Sequence, residues 1–381
     1  MKRIVLIVYV LLWNCWLVQS QNIKQDLSEL ENIGYVIDST LYSGDDSFFN
    51  KKFDTSALIK RMNLPEHKSL SQYNEGFERG FKSSFKFGKL LLREIENGAS
   101  YDFIRAYEDS RSRLHLLFRL FSDEGLNYHD FLVVKENGKV KLVDAFVYTT
   151  GENLSESLKA MYDLARMNEG GIISKLFKRD DYLTDLVKLK EVRALKAQGK
   201  FKESYDLFKS LGEKSKKTKV FRLLKISVTS NLDENLYKKS IREYLQAFPN
   251  NPSVYLVSID GHILNKKYDE ALKMVDKLND LLQGDDFLNY LRGNIFYAKK
   301  DYKMATSYFV TMTNDFEHFF DPYDSLLTIY IETNQYDKAV EILSIMMDSF
   351  KVVKKELKSS VSEYFSEFSK SKEFNQWLKS K

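Results

Sequence analysis

The sequence predicts two architectures in one chain: an α+β domain made of a helix and a four-stranded antiparallel sheet, followed by an all-α solenoid of helical hairpins. Three observations carry this. Lys267-Tyr268-Asp269-Glu270-Ala271, Asp301-Tyr302-Lys303-Met304-Ala305 and Gln335-Tyr336-Asp337-Lys338-Ala339 repeat with their tyrosines and alanines 34 residues apart, a period of stacked helix pairs. Asn137-Gly138 joins two runs rich in aromatic and β-branched residues, a two-residue hairpin signal. Only four prolines occur in 381 residues, which favours long helices.

The first 20 residues read as a secretory signal peptide; the alternative, an uncleaved anchor helix, is disfavoured because the apolar run is short for a membrane span of roughly 20 residues. Lys2 and Arg3 precede an apolar run from Ile4, and Val18-Gln19-Ser20 offers a cleavage site before Gln21. The only cysteine, Cys15, lies in this segment, so thiol chemistry and a cysteine-ligated zinc are excluded from the mature chain. Export to a periplasmic or extracellular setting is the expectation, with no membrane span left after cleavage. Without Lys2 and Arg3 the chain carries 56 basic and 54 acidic side chains. That balance leaves no nucleic-acid footprint. The run Lys214-Ser215-Lys216-Lys217-Thr218-Lys219 reads as a solvated loop.

Residues 22–168 form the expected first domain. The stretch 21–67 shows no clear period. From Leu70 to Asn97, Tyr73, Phe77, Phe81, Phe85, Leu92 and Ile95 mark one stripe of a single helix. Gly76, Gly80 and Gly88 on that helix leave room for a close neighbour. Four strands follow, about 101–108, 113–121, 126–135 and 139–149. The Asn137-Gly138 turn pairs Glu136 with Lys139, and an unbroken register then places Phe131 opposite Asp144, His129 opposite Phe146 and Asn127 opposite Tyr148. Leu132, Val134, Val143, Ala145 and Val147 become the core face. The other face is mixed: Asn127, His129, Phe131, Asp144, Phe146 and Tyr148. A helix over about 154–167 closes the domain. In element order it is similar to the cone-shaped folds related to nuclear transport factor 2 and ketosteroid isomerase, a resemblance that implies a bent sheet around a pocket.

The mixed face is where chemistry could reside. His129 and Asp144 are diagonal neighbours in this register, and a carboxylate that orients an imidazole suits acid–base work. Tyr148 adds a hydroxyl. A self-satisfied polar cluster is the competing reading, and it is favoured. His115, on another strand, reads as a lone histidine. No residues have metal-ligand spacing, no nucleotide or nucleophile-elbow motif occurs, and no cofactor is expected.

Glu169-Gly170-Gly171 is the expected domain boundary. Residues 172–357 resemble the tetratricopeptide repeat family. The clearest unit has Gly293 and Phe296 on its first helix and Tyr302, Ala305 and Phe309 on its second. The next keeps Tyr330, Tyr336, Ala339 and Leu343, with Leu327 at the small-residue position. The one before keeps Tyr255, Tyr268, Ala271 and Val275, with Ile259 there. Earlier units show Phe201, Ser204 and Phe208, then Tyr237, Ser240, Tyr244, Ala247 and Pro252. A terminal segment, 358–381, presents Val361, Tyr364, Phe365, Phe368, Phe374 and Trp377 and reads as a cap.

The resemblance implies a superhelix whose groove, lined by first helices, binds a peptide or protein. In family register that groove presents Asp260, Tyr290, Asn294, Tyr297, Asp324 and Thr328. It is neutral to acidic, which suits a basic or polar partner. The expected function is therefore an exported, non-catalytic scaffold, a candidate member of an envelope complex. The alternative is a small-ligand binder or hydrolase- or isomerase-like enzyme using His129 and Asp144.

Overall fold

The computed structural model describes residues 26–123, 125–166, 181–249 and 251–380. The signal-peptide segment and the Glu169–Gly171 boundary lie outside them. Contacts gather into two compact units, one ending at Val254 and one starting at Tyr255.

The first unit opens with helices where the sequence shows no clear period: α1 (26–42), α2 (Ser47–Lys52) and α3 (Thr55–Arg61). Leu30, Ile33, Ile37 and Leu41 recur at helical steps on α1, and all four are buried in the core. Gly34 lets α1 lie against the sheet, because a Cβ there would sit 2.3 Å from the Phe103 ring. Asp54 caps α3, accepting from the Ala57 N–H at 3.0 Å.

The single helix expected over Leu70–Asn97 is two, α4 (Ser71–Ser84) and α5 (Phe87–Glu96), separated by extended Phe85 and non-helical Lys86. Phe85 and Phe87 are two residues apart, a spacing that puts side chains on different sides of one helix. The break lets both reach the aromatic core: Phe85 stacks on Phe81 at 4.6 Å and Phe87 on Phe53 at 5.6 Å. Of the three glycines, only Gly88 is crowded, with Asn50 Oδ1 2.8 Å from a Cβ built there. Gly76 and Gly80 face open space.

The sheet has the predicted four strands in sequential antiparallel order, β1 (Ser100–Glu108), β2 (Leu114–Ser122), β3 (Gly125–Glu136) and β4 (Lys139–Val147), and a two-residue β5 (Glu152–Asn153). The Asn137-Gly138 turn pairs Glu136 with Lys139, as expected, and both turn residues have positive φ. The expected register survives only as far as Val133↔Leu142. A bulge between Leu132 and Val133 then shifts it, so Phe131 pairs with Ala145 and His129 with Val147. On β4 the faces reverse with it, while β3 keeps its odd residues on the core side throughout, so Leu132 and Val134 are not the core face. Phe131, Val133, Val140, Leu142 and Ala145 form the core with Phe49, Phe53, Phe87 and Phe118. Phe131 takes four of these rings at 5.6–6.3 Å centroid separation. The inner face of the sheet is therefore filled with aromatic side chains. Truncating a phenyl group in such a core costs about 3–5 kcal/mol.

After α6 (Leu154–Arg166), helices Asp181–Ala197, Phe201–Lys209, Glu213–Lys216, Lys219–Ser230 and Glu234–Ala247 complete the unit. The last pair is fastened to the sheet domain at Gly151. Asn251 Nδ2 donates to the Gly151 carbonyl at 3.0 Å, the Ser253 N–H donates to Asn251 Oδ1 at 3.0 Å, and Tyr244 and Ser253 hydroxyls meet at 2.6 Å. The irregular spacing around Pro252 supplies this loop.

Gly151 has φ +60, and a Cβ there would fall 1.8 Å from Asn251 Oδ1. Gly151→Ala should lower unfolding stability by about 1–3 kcal/mol, read from the denaturant midpoint. Adding Asn251→Ala should recover only part of the loss, because the Ser253 backbone nitrogen still lies 2.8 Å from the new Cβ. An unchanged midpoint in the single variant would contradict this close fit.

Candidate functional site

The second unit is built from helix pairs: Val254–Leu264 with Tyr268–Leu281, Leu288–Ala298 with Tyr302–Asp315, and Asp321–Glu332 with Tyr336–Phe350. Each connection is the same turn. Lys266, Lys300 and Asn334 all have positive φ. Lys267, Asp301 and Gln335 each donate their N–H to the carbonyl five residues back, at 2.8, 2.9 and 2.7 Å. This is the helix-ending motif with one left-handed residue. Gly199 and Lys200 form it again in the first unit.

The repeated tyrosine opens each second helix. The repeated alanine, three residues on, has no exposed surface at Ala271, Ala305 and Ala339. Ser204 takes that place earlier and donates to the Val192 carbonyl at 2.8 Å. At the crossing, a Cβ on Gly293 would come within 2.7 Å of the Phe309 ring, the close approach that the sequence predicts. Ile259 and Leu327 occupy the equivalent positions as buried side chains. The predicted cap forms Lys354–Tyr364, a short turn at Phe368–Lys370 and Lys372–Lys379. Phe368, Phe374 and Trp377 are buried against the last repeat.

The first helices carry the six expected groove residues. Asp260 is exposed on Val254–Leu264, and Tyr290, Asn294 and Tyr297 are half-buried on Leu288–Ala298. On Asp321–Glu332, Asp324 is exposed and Thr328 half-buried, one turn apart on one side of that helix. The tyrosines reach across to the next first helix. Tyr290 donates to Asp321 Oδ2 at 3.1 Å, and Tyr297 to Glu332 Oε1 at 3.0 Å. Asp321 and Glu332 are residues of this candidate face that sequence reasoning missed. Their signal was their spacing of 31 and 35 residues from the tyrosines, close to one repeat.

Electrostatics on this face follow from the carboxylates. Burial, then the Asp321 charge, raises the Tyr290 phenol well above its ordinary value. The Tyr297 phenol is pushed up to about 12 by burial and then by its bond to Glu332. Asp324 is exposed over much of its surface, yet its carboxyl lies above the ordinary range, through partial desolvation and then the neighbouring Asp321 charge. Both hydroxyls stay protonated donors and hold adjacent helices together.

The His129–Asp144 pair expected on the sheet does not form, because the bulge places the two residues out of reach. His129 meets the Tyr101 hydroxyl at Nδ1 and Asn127 Nδ2 at Nε2, both at 3.2 Å. Asn127 Oδ1 accepts from the Tyr128 and Thr149 N–H groups. Its amide nitrogen therefore faces the ring, which fixes a neutral imidazole with its proton on Nδ1. Burial lowers the His129 pKa to about 4. Asp144 instead accepts from Arg61 Nε at 3.0 Å and from Ser155 Oγ at 2.6 Å. Tyr148 is buried against Tyr128 and Phe146, and burial, then the Asp130 charge, raises its phenol.

The imidazole–carboxylate pair that does form is His115–Asp130. His115 Nδ1 lies 2.9 Å from Asp130 Oδ1, and the Tyr107 hydroxyl donates to Asp130 Oδ2 at 2.6 Å. The two residues are diagonal neighbours on β2 and β3, with Asp130 opposite Leu117. His115 is therefore a partnered histidine and not a lone one. His115 Nε2 is buried, 3.6 Å from Asp109. Such a closed cluster fastens strands together and gives a substrate no access. Among the described residues, no three His, Cys, Asp or Glu side chains come together to hold a metal ion, and no helix is long and apolar enough to cross a membrane.

His129 makes stability depend on pH with a defined sign. Its folded pKa of about 4 lies below the ordinary 6.5. Above pH 6.5 both states are neutral and its contribution is complete. As pH falls toward 4, the unfolded chain takes up a proton that the folded chain refuses, so stability falls by about 3 kcal/mol. His129→Leu should flatten this slope between pH 6.5 and 4 in denaturant titrations. An unchanged slope would show that His129 titrates normally in the fold.

No protein-family model matches the sequence, and no curated protein matches it either. Among solved structures, PilW, described as a widely conserved type IV pilus biogenesis factor, aligns at 11% identity and a TM-score of 0.38, over 52% of this chain and all of that one. A MamA structure, AMB-1, aligns at 13% identity and a TM-score of 0.31, over 47% of this chain and 97% of the other. A second MamA structure, RS-1, gives 15% identity, a TM-score of 0.32 and coverages of 42% and 93%. These likenesses are distant and concern chain path alone; the repeat architecture of this protein rests on its own turns and helix pairs.

Proposed function

We propose that this chain is an exported, non-catalytic scaffold that binds a protein or peptide along the first-helix face of its later repeats, as a soluble partner or as one member of an envelope complex. The observation that carries the reading is the pair of braces Tyr290–Asp321 and Tyr297–Glu332. They tie successive first helices together, so Asn294, Asp324 and Thr328 are presented on an ordered surface. A partner then meets little ordering cost on this side of the interface. Asp321, Asp324 and Glu332 give the face a negative character, which favours a segment rich in Lys or Arg and disfavours an acidic one. Export rests on the Lys2–Ser20 pattern.

The enzyme alternative finds no support in the sheet. The acid–base pair it needed is parted, and Phe131 fills the inner face with Phe49, Phe53 and Phe87.

Fluorescence anisotropy with labelled extended peptides of lysine-rich, neutral and glutamate-rich composition tests the proposal on the full chain. Lysine-rich peptide should bind tightest. Thr328→Ala with Asp324→Lys should weaken it at least tenfold without changing the fold, because neither bonds a brace tyrosine. Tyr290→Ala is a poor test, since it removes a brace as well as a contact. Preference for the glutamate-rich peptide, or unchanged binding in the double variant, would refute the assignment.

A further inference from the structure

The helical half is electrically divided. Residues 181–254 carry 16 Lys and Arg against 9 Asp and Glu; residues 255–350 carry 9 against 16. The sign changes near Val254, where the two compact units divide, and changes back in the terminal cap, where residues 351–381 carry 8 Lys against 4 Glu. Local pairing does not remove either excess. In the basic stretch, Asp206, Glu213, Glu234 and Glu243 are matched by Lys209, Lys216, Lys238 and Lys225, and Asp185 is buried beneath Ser215 and the Gly212 N–H. These pairs use up most of the few carboxylates there. In the acidic stretch, Lys299 meets Asp269 and Arg292 meets Asp276, which leaves carboxylates in excess.

Each excess is gathered into a patch. Arg222 donates to the carbonyls of Lys217 and Glu243 at 3.4 and 3.2 Å, which draws exposed Lys217 toward the end of helix Glu234–Ala247. On that helix Lys239 and Arg242 are exposed and three residues apart, hence on one side. The run Lys214–Lys219 that reads as a solvated loop begins in a short helix; Lys216 pairs with Glu213 and Lys219 with Glu152, and exposed Lys217 is its contribution to the patch. In the acidic stretch, exposed Asp276 and Asp280 lie four residues apart on helix Tyr268–Leu281, and exposed Asp286 follows in the next turn. Exposed Asp315 and Glu317 stand at the end of helix Tyr302–Asp315.

We propose that the partner of each patch is a second copy of this chain: the basic patch around Lys217, Lys239 and Arg242 of one copy binds the acidic patch around Asp280 and Asp286 of another. The two surfaces differ, so the contact is head-to-tail, and it repeats along a chain of copies unless the rotation closes a ring. Opposite surface potentials of this kind steer association and fix which ends meet. The contact uses none of Asn294, Asp324 or Thr328, so it stands apart from the groove.

The test is sedimentation of the full chain between roughly 0.05 and 0.5 M NaCl, a change that shortens the Debye length from above about 10 Å to below about 5 Å. One variant carries Lys217→Glu, Lys239→Glu and Arg242→Glu. A second carries Asp280→Lys and Asp286→Lys. The wild type should show a weight-average mass of two or more chains at low salt and one chain at high salt. Each variant alone should be monomeric at low salt with an unchanged circular dichroism spectrum. Mixed in equal amounts they should associate again, because the reversed patches now match each other. A wild type that is monomeric at low salt, an oligomer that both variants retain, or variants that stay apart when mixed would each overturn the proposal.

Discussion

One left-handed residue, repeated every 34 positions, governs the second unit. Lys266, Lys300 and Asn334 each reverse the chain at the end of a first helix. The turn ends in the same hydrogen bond each time, so the second helix starts at the same point. Its third residue after the tyrosine then falls where two helices cross, and only a small side chain fits: Ala271, Ala305 or Ala339. The identical turn sets successive first helices side by side, which brings Tyr290 to Asp321 and Tyr297 to Glu332. An ordered face thus follows from backbone geometry that the residues on the face do not themselves create.

The sheet domain has a constraint of its own. A single extra residue at the β3–β4 bulge decides which side every later residue faces. It brings Ala145 onto the core face that Phe131 shares with Val133, and turns Asp144 away from His129. On β4 the shift turns Asp144 toward Arg61 and Ser155, whereas the His115–Asp130 pair belongs to the unbroken β2–β3 register. His129 and Asp144 are thus each satisfied by specific partners, and the buried neutral imidazole costs the domain acid tolerance.

Much of this was legible beforehand, for identifiable reasons. The repeats announce themselves because packing demands tyrosine and alanine at fixed intervals. Asn137-Gly138 announces its hairpin because few other pairs adopt two positive φ values. The bulge was hidden: no Gly, Pro or change of alternation marks Leu132-Val133, and register extrapolated from the turn carried the error to every residue beyond. The break between α4 and α5 was written in the two-residue step from Phe85 to Phe87, but a continuous count of aromatics at three and four residues obscured it. The α1 stripe, Leu30 to Leu41, was readable and was missed. The carboxylate partners of Tyr290 and Tyr297 lie a repeat away, where only a three-dimensional register identifies them.

The most direct measurement of the central claim is amide hydrogen exchange on the full chain with and without a bound lysine-rich peptide. If the first-helix face is the functional surface, new protection concentrates in Val254–Leu264, Leu288–Ala298 and Asp321–Glu332, with the second helices and the sheet unchanged. Protection confined to the second helices, or centred on the sheet domain, would contradict the account and move the functional surface elsewhere on the chain.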